Sequence, residues 1–81
     1  MDREKILREV QLAIQEELKD GAYVPALPEE NESLAVIGVD SYDLVCISAA
    51  MEEKFGITIS DDEMFDIDTV KDFVDTIEAK L

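Results

Sequence analysis

The 81-residue chain is 47% apolar and 35% charged, which allows one folding unit and is too hydrophobic for a chain that stays disordered. Twenty-one acidic residues stand against seven basic ones, a formal net charge of −14, so nucleic acid and anionic membrane surfaces, both bound through lysine and arginine, are excluded as partners. The single cysteine, Cys46, rules out an internal disulfide and a cysteine-based metal site and suits a reducing cytoplasm.

In chain order, Met1-Asp2-Arg3-Glu4-Lys5 leads straight into an amphipathic pattern instead of the apolar core of a signal peptide. No apolar run is long enough to span a bilayer, so a soluble, unexported, cytoplasmic protein is expected. Asp2 suits a helix cap, and Leu7, Val10, Ile14 and Leu18 recur at helical spacing with Ile6 and Ala13 beside them. Lys19 complements the negative end of the dipole and Gly21 suits a helix stop, which predicts a helix near residues 2–19. Pro25 and Pro28 then push Val24 and Leu27 towards extended backbone, and Glu29, Glu30 and Glu32 follow. The reading is a long loop over 20–37, tacked down by Tyr23, Val24, Leu27, Leu34 and Ile37.

At Gly38-Val39-Asp40-Ser41-Tyr42 this extended segment gives way to the most apolar helical run in the chain. Ser41 stands at the first turn, where it admits two readings. Its oxygen can cap the helix, or the free N–H groups and macrodipole there can favour a phosphodiester attached to it. Over 41–55, Leu44, Ile47, Ser48, Met51 and Phe55 form one stripe for burial, while Tyr42, Val45, Cys46 and Ala49 form an outer face edged by Asp43, Glu52 and Glu53. Such a face is a docking surface unless the helix is buried all round.

Gly56 ends that helix, and Ser60 with Glu63 has the form of a capping box for a short helix near 61–66. Asp68 or Thr69 caps the last helix, on which Val70, Phe73, Val74, Ile77 and Leu81 repeat. The predicted fold is all-α: a small antiparallel four-helix bundle, three long helices and one short, in a single domain over 1–81. Between Lys19 and Lys71 the only cation is Lys54, so acids dominate around Ser41 and suit a basic partner.

Catalysis is answered by what the chain lacks. With no histidine, Ser41 has no imidazole base and no acyl-transfer triad can form. The acids from Asp61 to Asp68 lack the residue order of a calcium loop, so no metal site is expected beyond weak divalent binding.

Ser33-Leu34-Ala35-Val36-Ile37-Gly38-Val39-Asp40-Ser41-Tyr42-Asp43, then Met51-Glu52-Glu53-Lys54-Phe55-Gly56-Ile57 and Ile59-Ser60-Asp61-Asp62-Glu63, resembles an acyl carrier protein in motif order and spacing over nearly the whole chain. The resemblance implies a non-enzymatic carrier. A phosphopantetheinyl transferase would attach 4'-phosphopantetheine from coenzyme A to Ser41, with Asp40 as the motif acid, and the arm's thiol would hold acyl, aminoacyl or peptidyl groups as thioesters. Tyr42, Val45, Cys46, Ala49, Glu52 and Glu53 would face partner enzymes with basic docking surfaces, and a monomer is expected. Tyr42 stands where the family usually has leucine, Cys46 where fatty-acid members commonly have an acid, and Ala35 and Val36 where those members tend to have acids. These departures point to a dedicated carrier of polyketide or nonribosomal-peptide type. The alternatives are a general fatty-acid carrier and a non-carrier acidic interaction module with Ser41 as a cap. Ser48, Met64 and Phe65 are read as residues that alter any cargo cavity, with Ser48 alternatively bonding back to its own helix.

Self-repulsion in so acidic a small domain predicts a melting temperature that rises on addition of salt or magnesium, because screening relieves the folded state more than the expanded one. Calorimetric scans across an ionic-strength series check this, and a flat series would contradict it.

Overall fold

Of the four helices among the described residues, three begin at a reciprocal cap. Asp40, Ser60 and Thr69 lie in extended backbone and accept the N–H three residues on, while Asp43, Glu63 and Asp72 at those positions accept the N–H of the capping residue. These boxes start α2 (Ser41–Phe55), α3 (Asp61–Phe65) and α4 (Val70–Glu78). The first helix, α1 (Arg3–Leu18), starts from Asp2, whose carboxylate accepts the Glu4 N–H at 3.1 Å.

The computed structural model describes residues 2–18 and 27–81. Lys19, Gly21, Tyr23, Val24 and Pro25, invoked above for the first helix end and the loop, lie outside the described residues. Each predicted helix is present, with limits within a residue of those expected for the first three. The last ends at Glu78, so Leu81 is 51% exposed and not part of the buried stripe.

Gly56 ends α2 at φ +67°, and its N–H and that of Ile57 both return to the Glu52 carbonyl. A side chain there would meet no neighbouring atom, so the requirement for glycine is conformational and not steric.

The core is drawn from α1 (Ile6, Val10, Ile14, Leu18), α2 (Ile47, Met51), α4 (Val70, Phe73, Val74, Ile77) and the connections (Leu34, Val39, Ile59, Ile67). Ile6 and not Leu7 heads the α1 stripe; Leu7 is only half-buried. α1 packs against both α2 and α4, whereas α3 packs against α2 and buries none of its own residues fully. All four helices form one small bundle, and the described residues contain no strand, only a single antiparallel bridge between Ser33 and Thr69.

That bridge shows how the long loop is held. Leu34 donates to the Asp68 carbonyl at 2.9 Å, Val70 to Glu32 at 3.2 Å and Lys71 to Glu30 at 2.7 Å. Side-chain packing was expected to hold the segment; backbone hydrogen bonds to the start of α4 do so as well, beside buried Leu34 and half-buried Ile37. Arg3 adds a clamp from α1, reaching Glu30 at 3.0 Å, Asp75 at 2.8 Å and Glu78 at 3.0 Å. Glu63 is held well below the ordinary carboxyl range, to about 2, by the Ser60 backbone N–H and then by Lys80. Ser48 is 2% exposed and its hydroxyl has no hydrogen-bond partner among the described residues, so it does not bond back to its helix.

Among the described residues, Phe73 is the largest fully buried side chain. Phe73→Ala is expected to cost about 3–5 kcal/mol, comparable with the whole stability of so small a domain. Urea unfolding followed by circular dichroism should show a variant without a cooperative native baseline; a small midpoint shift would mean the core is not organised around this ring.

Candidate functional site

The site begins one turn before α2. Val39 donates to the Leu34 carbonyl at 2.9 Å, closing a turn that passes through Gly38 at φ +101°. Asp40 follows in extended backbone (φ −93°, ψ −176°) and accepts the Asp43 N–H at 2.8 Å, with Asp43 reaching back to the Asp40 N–H at 3.3 Å. Asp40 is therefore the cap. Ser41 is the first residue inside the helix, which corrects the reading of Ser41 as the capping hydroxyl.

Ser41 is exposed, and among the described residues its hydroxyl makes no hydrogen bond. The backbone N–H groups of Ser41 and Tyr42, in the first turn, precede any carbonyl of their own helix that could accept them. The donor set at this hydroxyl is therefore two free peptide N–H groups at the positive end of a fifteen-residue helix.

Two grooves meet at Ser41. One, of about 310 Å³, runs between α2 and α3, with Leu44, Val45, Met64, Phe65 and Ile67 as its apolar lining and Asp61 at its edge. The other, of about 230 Å³, lies between the 33–40 segment and the start of α4, with Ser33, Ala35, Asp40 and Asp68 along it. Ser41, Leu44 and Ile67 line both. A larger groove of about 530 Å³ between α1 and α2 is lined by Leu12, Met51 and Lys54 and does not include Ser41. Met64 is half-buried and lines the α2–α3 groove, Phe65 is 83% exposed, and Ser48 lines neither groove at Ser41.

The outer face of α2 is open, and the helix is not buried all round. Tyr42 is 72% exposed and Val45 53%; Ala49 and Glu53 are exposed and Cys46 is half-buried. Glu52 differs from the expectation. It is half-buried, and its carboxylate accepts the Ile59 N–H at 2.7 Å, so it holds the α2–α3 connection in place.

One acid was missed. Glu17 on α1 comes against Asp43, and partial desolvation, the Asp43 contact and the Asp40 charge raise its pKa above the ordinary value of 4.5. No local pattern around Glu17 signals this, because it arises from the packing of α1 on α2. Tyr42 is likewise raised by its contact with Cys46 and by Glu17 and Asp43, so the phenol is neutral at physiological pH. Among the described residues no group of three histidine, cysteine or acidic side chains is arranged to hold a metal ion, and no helix is long and apolar enough to cross a membrane.

Comparison with known proteins agrees with this geometry. The family profile described as "Phosphopantetheine attachment site" matches residues 9–77. An acyl carrier protein of Coprothermobacter proteolyticus is 37% identical, covering 100% of this chain and 96% of its own. One from an Exiguobacterium species is also 37% identical over 100% of both chains. The crystal structure of an acyl carrier protein from Thermotoga maritima superposes with a TM-score of 0.81 at 28% identity, covering 99% of this chain and 91% of that one.

Because the folded pKa of Glu17 lies above its unfolded one, its charged form weakens the fold. The penalty is absent below about 4.5 and complete once the pH exceeds the folded value. Glu17→Gln is therefore expected to raise the melting temperature at neutral pH, with a gain that shrinks as the pH is lowered towards that limit. A variant that melts lower than the parent at neutral pH would contradict the like-charge contact.

Proposed function

The chain belongs to the acyl carrier protein family, whose members are carriers of a covalently attached 4'-phosphopantetheine and not enzymes, and from that premise we propose that Ser41 bears the arm and Asp40 presents it. One observation carries the assignment: capping is done by Asp40, so the exposed Ser41 hydroxyl has no structural task of its own. The donor set fits the group. A phosphodiester on the Ser41 oxygen would lie at the first turn of α2, where the N–H groups of Ser41 and Tyr42 and the helix dipole favour an anion.

When bound, the arm supplies a thiol on which acyl groups are carried as thioesters. The chain's own residues supply the anchor, the setting and the recognition. Ser41 is exposed, and the chain has no histidine to act as an imidazole base, so in this reading its proton leaves to a base brought by the phosphopantetheinyl transferase. The oxygen then bonds to phosphorus as the remainder of coenzyme A departs. Asp40 and Asp43 fix the helix start, so that the oxygen is presented at a constant angle.

Tyr42, Val45, Cys46, Ala49 and Glu53 are the partner-facing residues in this reading, supported by the open outer face of α2. Glu52 contributes its charge there while its carboxylate holds Ile59. The acidic surroundings suit acyl-loading and acyl-processing enzymes with basic docking surfaces. The cargo pathway is a specialised one, of polyketide or nonribosomal-peptide type. What supports this is the exposed apolar character at Val36 and Tyr42 and the thiol at Cys46, where fatty-acid members carry acids or leucine. The carrier works as a single monomeric domain in the cytoplasm.

Incubation with coenzyme A and a phosphopantetheinyl transferase of broad carrier specificity, followed by intact-mass measurement, is expected to add one phosphopantetheine to the wild type and none to Ser41→Ala. An unmodified wild type, or equal modification of both, would remove the assignment.

A further inference from the structure

The short helix α3 has the sequence Asp61-Asp62-Glu63-Met64-Phe65, and it divides its two large side chains between opposite surroundings. Met64 packs against the core and lines the groove, while the Phe65 ring is 83% exposed. Burying such a ring is among the larger favourable contributions available to one side chain, and this fold does not use it. Phe65 nevertheless borders the same groove as Ser41 and Val45. An enzyme seated on the Ser41 side of this groove meets the ring.

The geometry points to Phe65 as an apolar anchor for the transferase that loads Ser41, seated in a hydrophobic pocket of that enzyme bordered by basic side chains. The inference rests on Ser41 being the loading site and adds a contact on α3 to the α2 face. Charge complementarity gives the chemistry of the occupant, and the shared groove with Ser41 makes it the enzyme that acts on that oxygen. Asp61 and Asp62 on α3 and Asp66 at its C-cap are exposed and have no ion pair among the described residues, so the complementary surface is one in which an apolar pocket is bordered by lysine or arginine. A second copy of this chain does not fit. It would bring these acids against its own equivalents at a net charge of −14 per chain, and an anionic lipid surface is repelled for the same reason.

The test is steady-state kinetics of arm transfer from coenzyme A by the broad-specificity transferase, with the carrier as varied substrate. Phe65→Ala is expected to raise KM for the carrier on the order of tenfold or more, as loss of a buried aromatic anchor does, with kcat unchanged. Phe65→Leu should recover most of the loss, and Leu81→Ala, exposed at the far end of α4, should leave KM unchanged. The ratio between Phe65→Ala and wild type should persist at high salt, because apolar burial is not screened. Loading of wild type and Phe65→Ala with the same KM would overturn the anchor and leave Ser41 as the loading site. Failure of the wild type to load would remove both. A concentration-dependent dimer that Phe65→Ala abolishes would assign the ring to self-association and overturn the proposal.

Discussion

The exchange of hydrogen bonds between Asp40 and Asp43 sets the character of this molecule. Two adjacent residues, Asp40 and Ser41, have the side chains of good helix caps. Only one can hold the position, and Asp40 holds it. Had the helix begun one residue later, the serine oxygen would have been spent on a backbone N–H and partly withdrawn from reaction. The turn through Gly38 and the buried anchors Leu34 and Val39 determine which residue arrives at the cap. The reactive hydroxyl depends on the folding of the segment before it more than on anything inside α2.

The rest of the fold keeps that junction steady at modest cost. α1 is the common partner of α2 and α4, and its four buried residues supply the largest single-element share of side chains to the core alongside those of α4. The ion pairs of Arg3 are partly exposed and individually weak, but they join α1, the loop and α4 at one place. The acids near Ser41 pull the other way. Glu17 is repelled by Asp43 and Asp40, so the negative character that suits a basic partner is retained at some expense of stability.

Much of this was legible in the residues. The limits of α2 are marked at both ends by chemistry that has few alternatives, a run of cap-forming residues before it and glycine after it, and its buried stripe follows directly from helical spacing. The capping box at Ser60 and Glu63 and the loop-to-helix placement of Ser41 were legible for the same reason. The backbone bonds from the long loop to α4 were not, because peptide groups are common to every residue and carry no signature in the sequence. The approach of Glu17 to Asp43 and the capture of the Ile59 N–H by Glu52 were hidden because each depends on a charged side chain that looks solvated in any local window. Ser48 reads equally well as a back-bonding residue, and only its packing showed that it has no partner.

The bond from Glu52 to Ile59 has a mechanical consequence. Glu52 belongs to the helix that forms one side of the groove at Ser41, and Ile59 leads directly into the helix that forms the other. The gap between them is thus spanned by a strut instead of being left to the weak side-by-side packing of a five-residue helix. Tilting either wall strains that strut, so the aperture next to the serine is braced like the jaw of a clamp.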